Sequence, residues 1–88
     1  MQKKILKINN EYGIHARPAA LIVKKASAFE SEIFFEKDEN KVSCKSIMSL
    51  MTIEGYPGSE IIVIADGPDE EEALNAIELL FLNKFNEE

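Results

Sequence analysis

The sequence predicts an α+β fold in which strands and helices follow in the order β-α-β-β-α-β-α. Segments with alternating apolar and polar residues are interleaved with segments whose apolar residues recur at helical spacing. Such interspersed helices and antiparallel strands pack as two layers, one a sheet and one of helices. The chain has 88 residues, of which 45% are hydrophobic. That length supports one modest core, so we expect residues 1–88 to form a single domain.

The first part of the chain reads as a strand followed by a helix. Residues 4–8 alternate, so that Leu6 and Ile8 share one face, and residues 9–13 are turn formers. Apolar residues then recur at helical spacing at Ala19, Ile22, Ala26 and Phe29. Local rules begin this helix at Pro18, because proline favours the first helical position. A start at Ala16 remains allowed, since a proline in the first turn removes no helix hydrogen bond.

The middle of the chain predicts a hairpin and a short helix. Ile33 and Phe35 alternate with polar neighbours in a second strand. A turn at residues 38–40 leads to a third strand at residues 41–44. Ser46 is the predicted N-cap of a short helix. The apolar residues of that helix are Ile47, Met48, Leu50 and Met51.

The last part of the chain predicts a buried strand and a long helix. Residues 55–58 contain two glycines and a proline and form a break, and residues 60–65 make the fourth strand. Residues 69–72, Asp-Glu-Glu-Glu, resemble a capping box with acids at the positive end of a helix. We expect that helix to bury Ala73, Ile77, Leu80 or Phe81, and Phe85.

Composition excludes several classes of function. The net charge of -6 argues against direct binding of nucleic acid, which favours basic proteins. No apolar run approaches the ~20 residues of a membrane span, and no signal peptide is visible, so we expect a cytoplasmic protein that does not bind membranes. Cys44 is the single cysteine and cannot form an internal disulfide.

His15 is the strongest candidate for chemistry. It is the only histidine and stands just before a predicted helix, with Arg17 two positions on. A helix start presents unpaired N–H groups and the positive end of the peptide dipole, which together attract phosphate. A neutral imidazole could attack phosphorus there, and the fork of Arg17 could neutralise the phosphoryl oxygens. From the residues alone, an ordinary polar histidine remains the more frequent role, and neither a metal-ligand set nor a hydrolase triad is visible.

Two segments resemble the HPr family, the histidine-containing phosphocarriers of the sugar phosphotransferase system. Residues 13–19, Gly-Ile-His-Ala-Arg-Pro-Ala, resemble its active-centre motif. Residues 45–51, Lys-Ser-Ile-Met-Ser-Leu-Met, resemble the regulatory segment of members from low-GC Gram-positive bacteria. The resemblance covers almost the whole chain. It implies an open-faced β-sandwich, with a four-stranded antiparallel sheet, three helices on one face and the first helix beginning at Ala16.

The resemblance also implies a reaction. Enzyme I, charged by phosphoenolpyruvate, would pass a phosphoryl group to Nδ1 of His15, and His15 would pass it to an enzyme IIA domain. Arg17 would contact the phosphoryl oxygens. No cofactor or metal is implied, and the chain would be a stoichiometric carrier rather than an enzyme. We expect a shallow, open site, because a carrier must release its phosphate to the next protein.

The same resemblance makes Ser46 a regulatory site. An ATP-dependent HPr kinase/phosphorylase would phosphorylate it, and the product would act with a catabolite-control transcription factor. Partner contacts by family position are Ala20, Ile47, Met48 and Met51. Plain N-capping by Ser46 and core packing by the apolar residues are the structural alternatives. A purely regulatory module without sugar transport is the alternative function, against which the presence of His15 argues. A phosphate-binding or hydrolytic domain is a third.

The open face of the sheet raises a question of self-association. Alternation places Ile5, Phe34, Ile62 and Ile64 away from the helices. With the family's strand order these four side chains would lie together, and a contiguous apolar patch often marks an interface. Cross-strand packing with modest exposure is the simpler expectation, and we expect a monomer.

Overall fold

A computed structural model describes residues 1–86, and its elements follow the predicted order. The elements are β1 (Gln2–Lys7), α1 (Ala16–Ala26), β2 (Glu32–Lys37), β3 (Asn40–Ser43), α2 (Ile47–Leu50), β4 (Glu60–Asp66) and α3 (Glu70–Leu82), followed by a 3-10 turn (Lys84–Asn86). Bounds differ from the predicted ones by a few residues at several ends. The largest differences are at the ends of α1 and α3, which stop at Ala26 and Leu82. The half-buried Phe29 therefore lies in the connection after α1.

The four strands form one antiparallel sheet in the order β1-β4-β2-β3. The side chains predicted to face the helices are all buried, namely Leu6, Ile8, Ile33, Phe35, Ile61 and Val63. From the other side of the core, α1 contributes Ala19, Ile22 and Ala26. Burial of these two apolar faces against each other stabilises the fold, and it confirms the predicted α+β architecture.

The first helix begins at Ala16, so the local prediction of a start at Pro18 is wrong and the start implied by the family is right. His15 is the N-cap, with extended backbone angles (φ -131°, ψ -166°). The N–H of Ala19 donates to the carbonyl of His15 at 2.9 Å. Pro18 is therefore the third helical residue, where its missing N–H costs no intrahelical bond.

The predicted capping box at the start of α3 does not form. Asp69 is the N-cap, yet its side chain makes no capping bond to its own helix. Its carboxylate accepts hydrogen bonds from the backbone N–H groups of Glu30 (3.1 Å) and Ser31 (2.9 Å) and from the Ser31 hydroxyl. The N–H of Asp69 donates in return to Ser31 Oγ at 3.1 Å. A tertiary contact has replaced the local one, which ties α3 to the connection between α1 and β2.

The predicted buried residues of α3 lie in the core, although the helix is shorter than expected. It ends at Leu82, and the chain then turns through Phe85, whose φ is 55°. This turn returns the Phe85 ring to the core, where its centroid lies 4.9 Å from that of Phe81. At 13 residues α3 is the longest helix among residues 1–86, and none of the helices there is long and apolar enough to cross a membrane.

The open face of the sheet carries the four apolar residues side by side, as the strand order predicts. Ile5 pairs with Ile62 across β1 and β4, and Phe34 pairs with Ile64 across β2 and β4. Only Ile5 is strongly exposed, at 63%, whereas Ile64 is 2% exposed. The Lys41 ammonium covers the Phe34 ring at 4.6 Å. Cross-strand packing thus accounts for most of this face.

Candidate functional site

His15 stands where the sequence predicts an anion site, at the N-terminus of α1. Its side chain is half-buried and makes no capping bond to the helix. The first bond of the helix ladder starts at Ala19, and Pro18 has no N–H to offer. The N–H groups of Ala16 and Arg17 therefore lie outside the ladder, at the positive end of the helix dipole. This geometry is suited to binding an anion such as a phosphoryl group beside the imidazole.

Arg17 adds an exposed positive charge to this helix end. It belongs to the first turn of α1 and is exposed to solvent. Within residues 1–86 its guanidinium makes no ion pair and no side-chain hydrogen bond. A planar guanidinium without a competing carboxylate can donate two parallel hydrogen bonds to phosphoryl oxygens.

Two hydrogen bonds hold the loop that leads into His15, one from another segment and one from within the loop. The N–H of Ile14 donates to the carbonyl of Gly55 at 2.7 Å, and Asn10 Nδ2 donates to the carbonyl of Gly13 at 2.7 Å. Gly13 has φ +67°, and a Cβ built on it would lie 2.1 Å from the Gly55 carbonyl oxygen. Gly55, in the predicted break, thus supports the histidine loop, a contact that the sequence did not predict.

Tyr12 is the neighbour of His15 that the sequence analysis missed. The centroids of the two rings lie 6.1 Å apart, with an interplanar angle of 86°. The Tyr12 side chain is otherwise largely in solvent, with 71% of its surface exposed. The available signal was an aromatic residue inside a run of turn formers, three positions before the only histidine.

Ser46 caps α2 as predicted, and the apolar residues beside it face solvent. Its hydroxyl accepts a hydrogen bond from the N–H of Ser49 at 3.2 Å. The exposed fractions are 41% for Ile47, 77% for Met48 and 48% for Met51, so core packing is the wrong explanation for these three side chains. Ala20 is also exposed, on α1, and α1 and α2 pack against each other.

Cys44 and Lys45 are structural. The Cys44 side chain is fully buried, and desolvation raises the pKa of its thiol far above the ordinary range, which removes it as a nucleophile. Lys45 Nζ donates to the carbonyl of Phe29 at 3.0 Å, which links the segment between β3 and α2 to the connection after α1. Among residues 1–86, no three His, Cys, Asp or Glu side chains cluster closely enough to hold a metal ion.

Comparison with known proteins identifies the family. The family model of the PTS HPr component phosphorylation site matches residues 2–83. The chain is 50% identical over 88 residues to the phosphocarrier protein HPr of Treponema pallidum, with 100% of both chains covered. The chain belongs to the HPr family. The HPr-like protein Crh of Halalkalibacterium halodurans is 46% identical over 84 residues, covering 96% of this chain and 99% of that relative.

Similarity to a solved HPr structure extends over the whole chain. The crystal structure of HPr-C-His from Thermoanaerobacter tengcongensis matches with a TM-score of 0.95 at 46% identity, covering 100% of this chain and 99% of that chain. Fold and sequence therefore agree, and the predicted function of an HPr phosphocarrier of the phosphotransferase system is confirmed at the level of the family.

Proposed function

We propose that His15 is the phosphoryl acceptor of this phosphocarrier, taking the group from phospho-enzyme I on Nδ1 and passing it to enzyme IIA domains. One observation carries the proposal. The only histidine of a chain that belongs to the HPr family stands at a helix N-terminus with the N–H groups of Ala16 and Arg17 outside the helix ladder. Phosphoryl transfer needs mainly positioning and charge neutralisation, and this geometry supplies both.

The transfer step forms one bond to phosphorus and breaks another. The Nδ1 lone pair of His15 attacks phosphorus, and the bond between phosphorus and the donor atom of enzyme I breaks with its electron pair returning to that atom. The phosphoryl oxygens then face the N–H groups of the first turn and the guanidinium of Arg17. In the second step an acceptor atom of the enzyme IIA domain attacks phosphorus, and the P–N bond to His15 breaks with its electron pair returning to Nδ1.

The position of His15 favours a carrier over a catalyst that keeps its phosphate. The imidazole is half-buried and Arg17 is exposed, so water and partner proteins can reach the phosphoryl group. Few fixed contacts bind the charged product, and tight binding of that product would raise the barrier to the second transfer. We propose a stoichiometric carrier that works as a monomer in the cytoplasm, forming brief complexes with small interfaces.

Phosphorylation in a defined mixture tests the proposal. The protein is incubated with phosphoenolpyruvate and enzyme I, and acid-labile phosphate is located by mass spectrometry under mildly alkaline conditions. We expect label on His15, loss of all label in His15→Ala, and full label in Ser46→Ala as the matched control. A wild-type protein without His15 label, or one that releases free phosphate catalytically without a stable intermediate, would contradict the carrier role.

Substitution of Arg17 tests charge neutralisation separately from acceptance. We expect Arg17→Ala to lower the rate of phosphoryl transfer from enzyme I by about 100-fold, the order found when one stabilising donor is lost from a transition state. Arg17→Lys keeps the charge but loses the planar fork, so its rate should lie between those of the wild type and Arg17→Ala. Stopped-flow or quench-flow kinetics measure the rate, and equal rates for all three proteins would remove Arg17 from the mechanism.

A regulatory role for Ser46 is the second candidate. Its hydroxyl lies at the start of α2, next to the exposed side chains of Ile47 and Met48. We propose phosphorylation there by an HPr kinase/phosphorylase and recognition by a catabolite-control transcription factor. A phosphate placed beside an apolar contact surface of Ala20, Ile47, Met48 and Met51 must be desolvated when enzyme I binds, which weakens that complex. Acid-stable label with ATP and the kinase, absent from Ser46→Ala, is the expected result.

A further inference from the structure

We infer that Tyr12 is a positioning residue for phosphoryl transfer, whose ring orients the imidazole of His15 toward the incoming phosphorus. The inference rests on the proposed role of His15 as acceptor. It starts from the perpendicular contact between the two rings, with centroids 6.1 Å apart and an interplanar angle of 86°. Perpendicular packing at this separation is a favourable arrangement for aromatic rings.

The Tyr12 side chain is not part of the hydrophobic core, so core packing does not explain its position. With 71% of its surface exposed, the side chain contributes little to burial. The other tyrosine of the chain, Tyr56, is similarly exposed at 57%, but its ring contacts the Lys37 ammonium at 4.7 Å and not His15. The contribution of Tyr12 is therefore local to the imidazole.

The backbone around Tyr12 is held on both sides, which keeps the ring in place. On one side, Asn10 Nδ2 donates to the carbonyl of Gly13 at 2.7 Å, and the N–H of Gly13 donates to the carbonyl of Asn10 at 3.5 Å. On the other side, the N–H of Ile14 donates to the carbonyl of Gly55 at 2.7 Å. These bonds enclose the turn that carries Tyr12. The fixed backbone of this turn places the Tyr12 ring beside the imidazole.

Orientation matters because only one ring nitrogen is the acceptor. Rotation about the side-chain torsions of His15 moves Nδ1 toward or away from the N–H groups of Ala16 and Arg17. An aromatic pair of this kind favours the packed orientation by roughly 2- to 12-fold over unpacked ones. The role inferred for Tyr12 is to favour the orientation in which Nδ1 can attack before the donor arrives, which raises the rate of the chemical step. The ring supplies this effect, and the Tyr12 hydroxyl is not needed for it.

Three variants separate the ring, the hydroxyl and general surface effects. Tyr12→Phe keeps the ring, Tyr12→Ala removes it, and Tyr56→Ala removes an exposed tyrosine that does not contact His15. Side-chain coupling constants and NOEs of His15 in the unphosphorylated protein report the orientation of the imidazole. Steady-state transfer from phosphoenolpyruvate through enzyme I gives kcat and KM, and thermal unfolding checks that every variant is folded.

We expect Tyr12→Ala to average the His15 couplings and to lower kcat by roughly 2- to 12-fold with little change in KM. Tyr12→Phe and Tyr56→Ala should match the wild type in both measurements. Unchanged couplings and kcat in Tyr12→Ala, with normal His15 label in the wild type, would overturn the role of Tyr12 alone. A Tyr12→Phe variant as slow as Tyr12→Ala would overturn the role of the ring. Absence of His15 label in the wild type would overturn the proposed function and this inference with it.

Discussion

Gly13 gives the loop before His15 a backbone conformation and a close packing contact that residues with a Cβ rarely allow. Its φ of +67° belongs to the left-handed region, which residues with a Cβ rarely adopt. The same glycine lets the backbone approach the Gly55 carbonyl so closely that a Cβ would lie 2.1 Å from that oxygen. The Gly55 carbonyl also accepts a hydrogen bond from the N–H of Ile14, so Gly55 contacts two consecutive residues of the histidine loop.

Substitution of Gly13 should therefore lower the free energy of unfolding by more than the strain of its left-handed backbone angle alone. Gly58 is a matched control, because its φ is +89° and a Cβ there meets nothing within 4 Å. We expect Gly58→Ala to lower the free energy of unfolding by about 1 kcal/mol, from the left-handed backbone. Gly13→Ala should lower it by roughly 3 kcal/mol, because a clash with backbone is added. Urea unfolding measures both, and equal losses would contradict the close approach.

At the scale of elements, α2 depends on its neighbours to exist at all. It spans only Ile47–Leu50, and an isolated helix of that length is unstable in water. Two features hold it in place, the fully buried side chain of Leu50 and the cap supplied by Ser46. The proposed regulatory residue is thus also a structural one.

The cap of α2 can be tested by separating hydrogen bonding from charge. We expect Ser46→Ala to lower the free energy of unfolding by about 1 kcal/mol, while Ser46→Asp keeps a capping oxygen and stays within roughly 0.5 kcal/mol of the wild type. Ser46→Asp should nevertheless bind enzyme I more weakly, because it places charge beside the exposed Ile47 and Met48. Urea unfolding and calorimetric titration measure the two effects. Ser49→Ala, in the same helix, controls for loss of a hydroxyl, and a loss as large as that of Ser46→Ala would contradict the cap.

At the scale of the whole molecule, the pairing of Ser31 with Asp69 joins parts of the chain that are 38 residues apart. The Ser31 hydroxyl is the main cause that holds the pKa of the Asp69 carboxyl below its usual range, and the backbone N–H groups of Ser31 and Glu30 add to it. These bonds favour the ionised carboxylate in the folded state, whereas the unfolded chain has no such preference.

This pairing predicts how stability depends on pH. Because the pKa of Asp69 is lower in the folded state, its contribution is fully present above the unfolded value of ~3.9 and is lost as pH falls through the folded pKa. Asp69→Asn should flatten that acid-side loss, and Ser31→Ala should raise the pKa of Asp69 toward its ordinary value. NMR titration of the carboxyl and urea unfolding against pH check both. Asp66→Asn, a nearby exposed carboxylate, is the control, and an unshifted Asp69 in Ser31→Ala would contradict the pairing.

Much of the fold was predictable, because it depends on local chemistry that any short window of sequence carries. Alternation at Leu6 and Ile8, helical spacing from Ala19 to Ala26, and the hydroxyl of Ser46 each act within a few residues. His15 and Arg17 were identifiable for the same reason, since a helix N-terminus and two side chains that suit phosphate lie in one short segment.

The remaining features depend on residues that are distant in sequence. Local rules predicted that α1 begins at Pro18 and that a capping box forms at Asp69. In the structure α1 begins at Ala16, and Asp69 makes no capping bond to its own helix. The packing of the sheet and helices brings Asp69 to Ser31 and Gly13 to Gly55, residues that are distant along the chain. Local patterns in the sequence were enough to predict most of the elements, the family and the histidine that we propose as the acceptor. The contacts that Gly55 makes with the histidine loop follow only from the tertiary structure. Hydrogen bonds and steric limits act between neighbours in space, whatever their separation along the chain.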